Sequence, residues 1–426
     1  MEQLAVKTAK GKRVITKKPE LLAPAGNLEK LKIAVHYGAD AVFIGGRDFG
    51  LRSNAGNFSI EDMAEGVAFA SKYNARIYVT TNIFAHNENM EGLDTYLRDL
   101  EKAGIAGIIV ADPLIIETCK AVAPKLEVHL STQQSLTNWQ AVKFWKEEGL
   151  ERVVLAREVG LQEMLEMKKN VDIEIETFIH GAMCISYSGR CVLSNHMTAR
   201  DSNRGGCCQS CRWDYYLYEN NDASGSAGGT ELFNKDDVPY AMSPKDLNLI
   251  ESIPKLIEAG IDSLKIEGRM KSIHYVATVV SVYRKVIDAY CADPDNFKIN
   301  PEWIKELAKC ANRPTAPAFF ENVPGHKEQL FKNHSEKPAF DFVGLVVDYD
   351  EETSMVTLQQ RNYFKLGDKI EFFGPEIDNF TQKVDKLWDS KGRELETARH
   401  PLQIVRFKTD KPVYPDNMMR KEALYE

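Results

Sequence analysis

Five of the eight cysteines fall within 28 residues, from Cys184 to Cys211. The spacing is Cys184-x6-Cys191-x15-Cys207-x3-Cys211, and Cys208 follows Cys207 directly. Four thiolates can bind a zinc ion or an iron–sulfur cluster. The wide gaps lack the two CxxC pairs of a zinc ribbon and favour a [4Fe–4S] cluster, whose four irons lie further apart than the ligands of one ion. Zinc and unligated buried thiols remain alternatives.

The adjacent residues Cys207 and Cys208 cannot easily both point at one centre. We choose Cys207 as the ligand, because its CxxxC spacing to Cys211 spans one helical turn and places both sulfurs on one face. The predicted metal and cofactor ligands are therefore Cys184, Cys191, Cys207 and Cys211. Other chemistry has little support, because HExxH, GxxxxGK[ST] and GxSxG are all missing from the sequence.

Eight short apolar runs must position this segment, and amphipathic helical segments separate most of them. Apolar runs that alternate with helices indicate βα units and a parallel sheet, and eight units favour a closed (β/α)8 TIM-like barrel. No GxGxxG follows the first run, which argues against a dinucleotide-binding fold. The runs are 20–26, 41–46, 76–82, 107–112, 127–133, 152–158, 173–181 and 263–268.

Polar residues end several of these runs, and in a barrel such ends face the catalytic mouth. Any one of them can be a turn or capping residue, but together they form a candidate site. The cysteine segment follows the seventh run, as an insertion of about 60 residues at the same mouth. The strand-end residues are Asn82, Asp112, Gln133, Arg157 with Glu158, His180, and Lys265 with Glu267.

The 426-residue chain, 43% hydrophobic, is too long for one ordinary core. We divide it into a basic N-terminal arm (1–18), a barrel domain (19–311, with the insertion at about 184–240), a linker (312–338) and a C-terminal domain (339–426). Residues 339–426 alternate apolar and polar positions with turn signals between, which predicts a small antiparallel β-barrel.

The net charge of −8 is unlike that of a protein that coats nucleic acid, so RNA binding must rest on local patches. Residues 1–18 carry six Lys/Arg against one Glu and can equally be a solvated arm. In the cysteine segment, Arg200 and Arg204 are the predicted RNA contacts. No apolar stretch approaches the roughly 20 residues that cross a bilayer, and no secretory signal is present, so we expect a cytoplasmic protein without membrane contact.

Three stretches carry a resemblance to a known family over nearly the whole chain. "ETFIHGAMCISYSGRCVLS" resembles the signature of the peptidase U32 family, "PELLAPAGNLEKLKIAVHYGADAVFIGG" its N-terminus, and "SPKDL…AGIDSLKIEGRMKS" its later barrel motif. Within the family, the architecture is most similar to the prephenate-dependent tRNA uridine-34 hydroxylases. The C-terminal β segment is similar to the domain that this family appends.

The resemblance implies an iron–sulfur-dependent enzyme that forms 5-hydroxyuridine at the wobble position of tRNA without dioxygen, with prephenate as the oxygen donor. It also implies the anticodon loop as the bound element of tRNA, and it raises a second U32-family chain as a further partner. Relatives hold a [4Fe–4S] cluster on four cysteines, which implies that role for Cys184, Cys191, Cys207 and Cys211 here. Two alternatives stay open: a collagenase-like peptidase, and a non-catalytic, metal-stabilised RNA-binding protein.

A dicarboxylate donor requires cationic side chains at the mouth. Arg157, Lys265 and Arg269 can clamp carboxylates, or they can pair with neighbouring glutamates for structure. His180 is a candidate acid or base, although a hydrogen-bonded structural histidine is the favoured single interpretation. A flat uridine needs aromatic contacts, for which Tyr187, Trp213 and Tyr215 are available, but we expect at least two of these to be packed in the interior.

Overall fold

Eight parallel strands form a closed barrel in the computed structural model, which describes residues 5–7, 13–50, 57–215, 218–219, 230–231, 241–330 and 338–423. Each strand pairs with the next in chain order, and the eighth pairs with both the first and the seventh. The predicted (β/α)8 barrel is therefore confirmed. The strands are β1 (Glu20–Pro24), β2 (Ala41–Gly45), β3 (Arg76–Thr81), β4 (Gly107–Val110), β5 (Glu127–Leu130), β6 (Arg152–Val154), β7 (Glu174–Gly181) and β8 (Ser263–Ile266).

Helices surround the barrel, and polar caps begin several of them. The side chains of Asn27 and Asn138, for example, accept hydrogen bonds from backbone N–H groups in the first turns of α1 and α5. Within the described ranges, no helix has the length and apolarity to cross a membrane. The helices are α1 (Leu28–His36), α2 (Ile60–Ala70), α3 (Leu93–Lys102), α4 (Pro113–Val122), α5 (Trp139–Glu147), α6 (Leu161–Asn170), α7 (Leu193–Thr198), α8 (Ile253–Glu258), α9 (Ile273–Ala292) and α10 (Pro301–Cys310).

The barrel interior contains a network of buried charges at its N-terminal end. The Arg152 guanidinium group, only 1% exposed, lies 2.6 Å from a carboxylate oxygen of Glu20 and 3.2 Å from one of Glu176. The Lys265 ammonium group lies 2.7 Å from the other Glu176 oxygen. Buried charges of this kind are tolerated only when they are paired and hydrogen-bonded, as they are here.

The insertion after β7 contains the short helix α7 and three single-turn helices, Tyr187–Gly189, Ser202–Arg204 and Ser210–Arg212. It returns to the barrel through Asp246–Asn248, which pairs antiparallel with the end of β7. The prediction of an insertion at this point is confirmed. Parts of the range 184–240 lie outside the described residues.

The N-terminal arm packs on the barrel where it is described. Arg13 forms ion pairs with Glu258 at 2.5 Å and Asp295 at 2.8 Å, and Lys17 pairs with Asp262 at 2.7 Å. These basic side chains therefore meet carboxylates of the barrel domain. Ala5–Lys7 pairs antiparallel with Arg13–Ile15.

The predicted linker forms short strand pairings with the end of the insertion. Thr315–Ala316 pairs with Asp246–Leu247, and Gln329–Leu330 pairs with Ser243–Pro244. Residues 331–337 lie outside the described part of the chain. The described part of the linker thus pairs with residues 243–247, at the end of the insertion where the chain returns to β7.

The C-terminal domain is antiparallel β, as predicted, but within the described residues 338–423 its strands form a seven-stranded sheet whose two edge strands do not pair with each other, rather than a closed β-barrel. Its seven strands are β9 (Phe340–Asp350), β10 (Met355–Gln360), β11 (Lys369–Gly374), β12 (Ile377–Lys383), β13 (Trp388–Asp389), β14 (Ile404–Lys408) and β15 (Met418–Glu422). The hydrogen-bonded order is β12-β11-β15-β9-β10-β14-β13. A separate pair, Phe364–Lys365 with Thr397–Ala398, lies beside the sheet.

The sheet docks on the barrel through a buried arginine. Arg420 is fully buried, and its guanidinium group lies 2.5 Å from Glu306 of α10 and 3.0 Å from Glu371 of β11. The Tyr37 hydroxyl, after α1, donates to the backbone oxygen of Asp416 at 2.9 Å. The barrel and the sheet therefore share a contact formed by α1 and α10.

Candidate metal centre at the barrel mouth

The cysteine segment is attached to the ends of three barrel strands. The Ser188 backbone N–H and hydroxyl donate to the two carboxylate oxygens of Glu158, after β6, at 2.8 and 2.6 Å. The Arg190 side chain donates to the backbone oxygen of Gln133, after β5, at 2.6 Å. The Phe84 backbone N–H, after β3, donates to the oxygen of Asn203 at 3.4 Å. These bonds hold the segment across the barrel mouth.

Four thiols of this segment are electrostatic neighbours. Burial raises the pKa of Cys184, and the thiols of Cys191 and Cys207 add to the rise. Burial likewise raises the pKa of Cys211 to about 11, with contributions from the same three cysteines. Three of the thiols that spacing selected, Cys184, Cys191 and Cys207, thus act electrostatically on the fourth, Cys211.

Cys208 faces a different environment. Its sulfur lies 3.3 Å from the Ser194 hydroxyl and 3.4 Å from the Thr198 hydroxyl, both on α7. Hydrogen bonding with these two hydroxyls lowers its pKa to about 7. The neighbouring residue Cys207, by contrast, acts on Cys184 and Cys211. This divergence supports Cys207 over Cys208 as the fourth member of the group.

The surroundings of the sulfurs fit an iron–sulfur cluster. The Ser186 backbone N–H points at the Cys184 sulfur at 3.4 Å, and the Leu193 N–H points at the Cys191 sulfur at 3.3 Å. Such hydrogen bonds are among the factors that tune cluster thiolates. Where side chains are described, no three His, Cys, Asp or Glu residues converge as the ligands of one metal ion. Four cysteine thiols, two of them with backbone N–H donors, are a donor set of the kind that [4Fe–4S] clusters use.

Arg157 lies beside the cysteine group. Its guanidinium group is 3.5 Å from a Glu267 carboxylate oxygen and 4.2 Å from the ring centre of Phe178. Its positive charge acts to lower the pKa of Cys184, against the larger effect of burial. Both members of the ion pair keep 13% of their side-chain surface exposed. Arg157 therefore forms an ion pair with Glu267, as expected if its role is structural. It also lies close enough to Cys184 to affect the pKa of that thiol.

Arg269 occupies a narrow slot at the ends of β2 and β3. It donates to the Thr80 hydroxyl at 2.8 Å and to the side-chain oxygen of Asn57 at 3.2 Å. A side chain at Gly45 would clash with the guanidinium group, since an added Cβ would lie 2.3 Å from its nearest nitrogen. Glycine at position 45 is thus required for the close approach of the arginine.

Lys265 lies deeper, inside the barrel. Its ammonium group lies 4.6 Å from the Phe43 ring centre and pairs with Glu176. It thus belongs to the buried charge network rather than to the surface of the mouth. Sequence reasoning missed Glu176, although charges at alternate positions, Glu174 and Glu176, are the signal of a strand face that points into a barrel.

His180 packs behind the mouth. The pairing of β7 with β8 shifts register between Lys265 and Ile266, and such an irregularity redirects a side chain. The His180 ring lies against Tyr275 and Tyr283, with Nδ1 3.2 Å from the Tyr283 hydroxyl. Burial lowers the pKa of His180 to about 3, so the ring is neutral at physiological pH. This geometry favours the structural alternative for His180.

The two predicted RNA contacts differ. Arg200 is exposed, and its side chain has no partner among the described residues. Arg204 forms an ion pair with Glu88 and lies 3.4 Å from the Asn89 side chain. Only the first therefore offers an uncommitted charge at the surface.

Comparison with known proteins places the chain in a family. Residues 26–330 match peptidase family U32, and residues 338–420 match the C-terminal domain of that family. The chain belongs to peptidase family U32. The "tRNA hydroxylation protein P1" of Bacillus subtilis is 74% identical over 411 residues, which cover 96% of each chain.

Two more distant U32 relatives are known from Escherichia coli. The "tRNA hydroxylation protein P" is 32% identical over 89% of this chain and 91% of its own length. The "23S rRNA 5-hydroxycytidine C2501 synthase" is 39% identical over 63% of this chain and 39% of its own length. The names of all three relatives describe RNA hydroxylation, and the recognition of the family from sequence is confirmed.

Proposed function

We propose that this U32 protein is an RNA hydroxylase that forms 5-hydroxyuridine at wobble position 34 of tRNA. The observation that carries the proposal is the 74% identity to a tRNA hydroxylation protein along 96% of both chains. The relative named for rRNA 5-hydroxycytidine supports oxidation at C5 of a pyrimidine as the shared chemistry. The position of the cysteine group over the barrel mouth, where barrel enzymes hold their substrates, agrees with it.

Cys184, Cys191, Cys207 and Cys211 would hold a [4Fe–4S] cluster in this proposal. A bound cluster supplies a one-electron donor and acceptor beside the substrate. The chain's own residues orient the site: Glu158 fixes the turn at Ser188, and Arg157 places a positive charge next to Cys184. The segment as a whole covers the mouth, which limits access of water to the reacting base.

Hydroxylation at C5 replaces a C–H bond of uridine with a C–O bond, which is a two-electron oxidation of the base. A donor that gives up a hydroxyl group and takes the hydrogen is reduced by the same two electrons, so the exchange balances without dioxygen. Prephenate, a dicarboxylate that carries a hydroxyl group, is the donor we propose. Dioxygen readily damages iron–sulfur clusters, which further favours an organic donor.

Arg157 and Arg269 are the side chains that we assign to the two donor carboxylates. Both follow barrel strands at the mouth, and both are largely buried, where charge pairing is stronger than in water. Arg157 would exchange its 3.5 Å contact with Glu267 for a donor carboxylate. Lys265 and His180 are left out of this assignment because of their buried partners.

An anaerobic assay tests the proposal. The substrate is tRNA that lacks the modification, incubated with and without prephenate, and 5-hydroxyuridine is read by mass spectrometry. We expect product only with the donor present. Robust product in air without prephenate would refute the donor, and tRNA binding without any product would favour the non-catalytic RNA-binding alternative.

A further inference from the structure

Two amide side chains at the barrel mouth bond to each other across the strand that separates them. The Asn82 Nδ2 group, after β3, donates to Oε1 of Gln133, after β5, at 2.9 Å. The Ser131 hydroxyl donates to the same oxygen at 3.4 Å. Both amides belong to the polar strand ends of the mouth, and the proposed reaction gives neither of them a role.

This contact leaves one hydrogen-bond donor and one acceptor unused. Among the described residues, Gln133 Nε2 and Asn82 Oδ1 are buried and have no hydrogen-bond partner, and Gln133 is only 3% exposed. Gln382, a buried glutamine of the C-terminal sheet, instead has both amide atoms bonded to backbone groups at 2.9 Å. Because unpaired buried polar groups are costly, a donor beside an acceptor here indicates a place that a ligand completes.

Short contacts link the amides to the groups already placed at the mouth. Thr80, on β3, accepts from Arg269 at 2.8 Å, and strand alternation puts Asn82 on the same face as Thr80. The backbone oxygen of Gln133 accepts from the Arg190 side chain of the cysteine segment at 2.6 Å. The pair is therefore connected both to the cysteine segment and to the strand that holds Arg269.

The turn that carries Gln133 is fixed by its neighbours. Thr132–Gln134 forms a single helical turn after β5. The Thr132 hydroxyl donates to the backbone oxygen of Leu155, after β6, at 2.9 Å, and the Gln134 side chain donates to that of Ala111, after β4. Three consecutive side chains thus bond to the ends of three different strands. An amide held in this way is preorganised and loses little freedom when it binds a ligand.

We propose that Gln133 and Asn82 read the Watson–Crick edge of the target uridine, with Gln133 Nε2 donating to O4 and Asn82 Oδ1 accepting from N3–H. This inference rests on the proposed function, since it assumes that a uridine enters the mouth. Enzymes that modify a base take it out of the stack and read this edge through hydrogen bonds. Uracil presents an acceptor beside a donor, which matches the two unused amide atoms, whereas cytosine presents the reverse.

The same contact positions the reacting carbon. C5 is bonded to C4, which carries O4, so a hydrogen bond from Gln133 to O4 fixes C5 next to the anchored atom. Neutral amides neither give up nor take a proton at physiological pH. The two residues therefore determine specificity and position and are not acid–base groups.

Competition between RNAs tests the inference. Anaerobically prepared full-length protein is titrated with anticodon stem–loops that carry uridine, cytidine or 3-methyluridine at position 34. Gln133→Glu keeps an oxygen for Asn82 and Ser131 and replaces only the unused donor with an acceptor. Gln382→Glu is the matched control, the same exchange at a buried glutamine far from the mouth. Affinity ratios are taken within each variant, so a loss of folded protein cancels.

We expect the wild type to bind the uridine RNA roughly tenfold more tightly than the cytidine RNA, as for one bidentate base contact. Gln133→Glu should lose or reverse this preference, because a carboxylate accepts from the cytosine amino group. Asn82→Ala should no longer distinguish uridine from 3-methyluridine, which lacks the N3–H. The control should keep the wild-type ratios. Equal binding of uridine and cytidine RNA by the wild type, or an unchanged ratio in Gln133→Glu, would overturn the inference.

Hydroxylation of the uridine RNA by the wild type separates this inference from the proposed function. A preference for uridine that depends on Gln133, without any 5-hydroxyuridine, would support the amide contacts and refute the reaction. Product formation with an unchanged ratio in Gln133→Glu would support the reaction and overturn the amide contacts. A wild type that binds none of the RNAs would overturn both.

Discussion

The two ends of the barrel use polar residues in opposite ways. At the N-terminal end, Arg152 lies between Glu20 and Glu176, and each charge is matched within the fold. At the mouth, the segment that follows β7 leaves Tyr187 and Trp213, which are close in sequence to Cys184 and Cys211, exposed to solvent. The difference matches the division of labour in barrel enzymes generally, in which one end contributes stability and the mouth carries the site.

Breaking the N-terminal network should have the largest effect on stability. Arg152→Met removes a buried cationic partner that Glu20 and Glu176 share, and we expect the free energy of unfolding to fall by about 3–5 kcal/mol. Urea denaturation measures it. Lys305→Met, which removes an exposed partner of Glu302, is the control and should change stability by less than about 1 kcal/mol. Equal effects of the two changes would contradict the assigned role of this end.

The same network predicts an acid-dependent loss of stability. Burial raises the pKa of Glu20, but Arg152 and Arg76 outweigh it and lower the pKa to about 2. Because the folded pKa lies below the unfolded value of about 4.3, the contribution is complete above that pH and is lost as pH falls toward 2. The difference in unfolding free energy between wild type and Glu20→Gln, at most about 3 kcal/mol, should shrink over this range. A difference independent of pH would contradict the pairing.

Much of this contrast was predictable from sequence. The eight apolar runs predicted the barrel, and the position of the cysteine segment after the seventh run predicted the insertion at its mouth. The roles of single polar side chains were not predictable, because they depend on tertiary partners. His180 ends a strand as a site residue would, but a register shift sends its ring toward Tyr283.

The pairing of surface arginines and the exposure of aromatic rings also could not be predicted from the sequence. Arg200 and Arg204 look equivalent in sequence, and only the loop after β3, with Glu88, distinguishes them. The exposure of Tyr187 and Trp213 was also missed, since no local pattern separates an exposed ring from a packed one. The sequence therefore predicted where a candidate site lies, and the structure shows the partners of its side chains.

Changes at the mouth should affect turnover rather than stability. Arg157→Ala and Arg269→Ala each remove one proposed carboxylate contact, and we expect kcat/KM for prephenate to fall roughly 10- to 100-fold per variant. Affinity for tRNA should stay unchanged. Arg393→Ala, an exposed arginine of the C-terminal domain, is the control. Unimpaired turnover of the Arg157→Ala, Arg269→Ala double variant would refute the assignment of these arginines to the donor carboxylates.

The smallest expected effect is on the salt dependence of tRNA binding when a single phosphate contact is removed. Arg200→Gln should lower the slope of log affinity against log salt by about 0.7–0.9, the contribution of one phosphate. Arg204→Gln should change it less, because Glu88 already partners this arginine. The two slopes are measured by titration of tRNA at several salt concentrations. A larger change for Arg204→Gln would reverse the assignment.

The central claim is that Cys184, Cys191, Cys207 and Cys211 hold one iron–sulfur cluster at the mouth. Iron and acid-labile sulfide per chain, measured after anaerobic reconstitution of wild type, Cys207→Ser and Cys208→Ser, test it most directly. We predict about four irons per chain in the wild type and in Cys208→Ser, and a marked loss in Cys207→Ser. Loss of iron in Cys208→Ser alone, or a colourless wild type with stoichiometric zinc, would contradict the account.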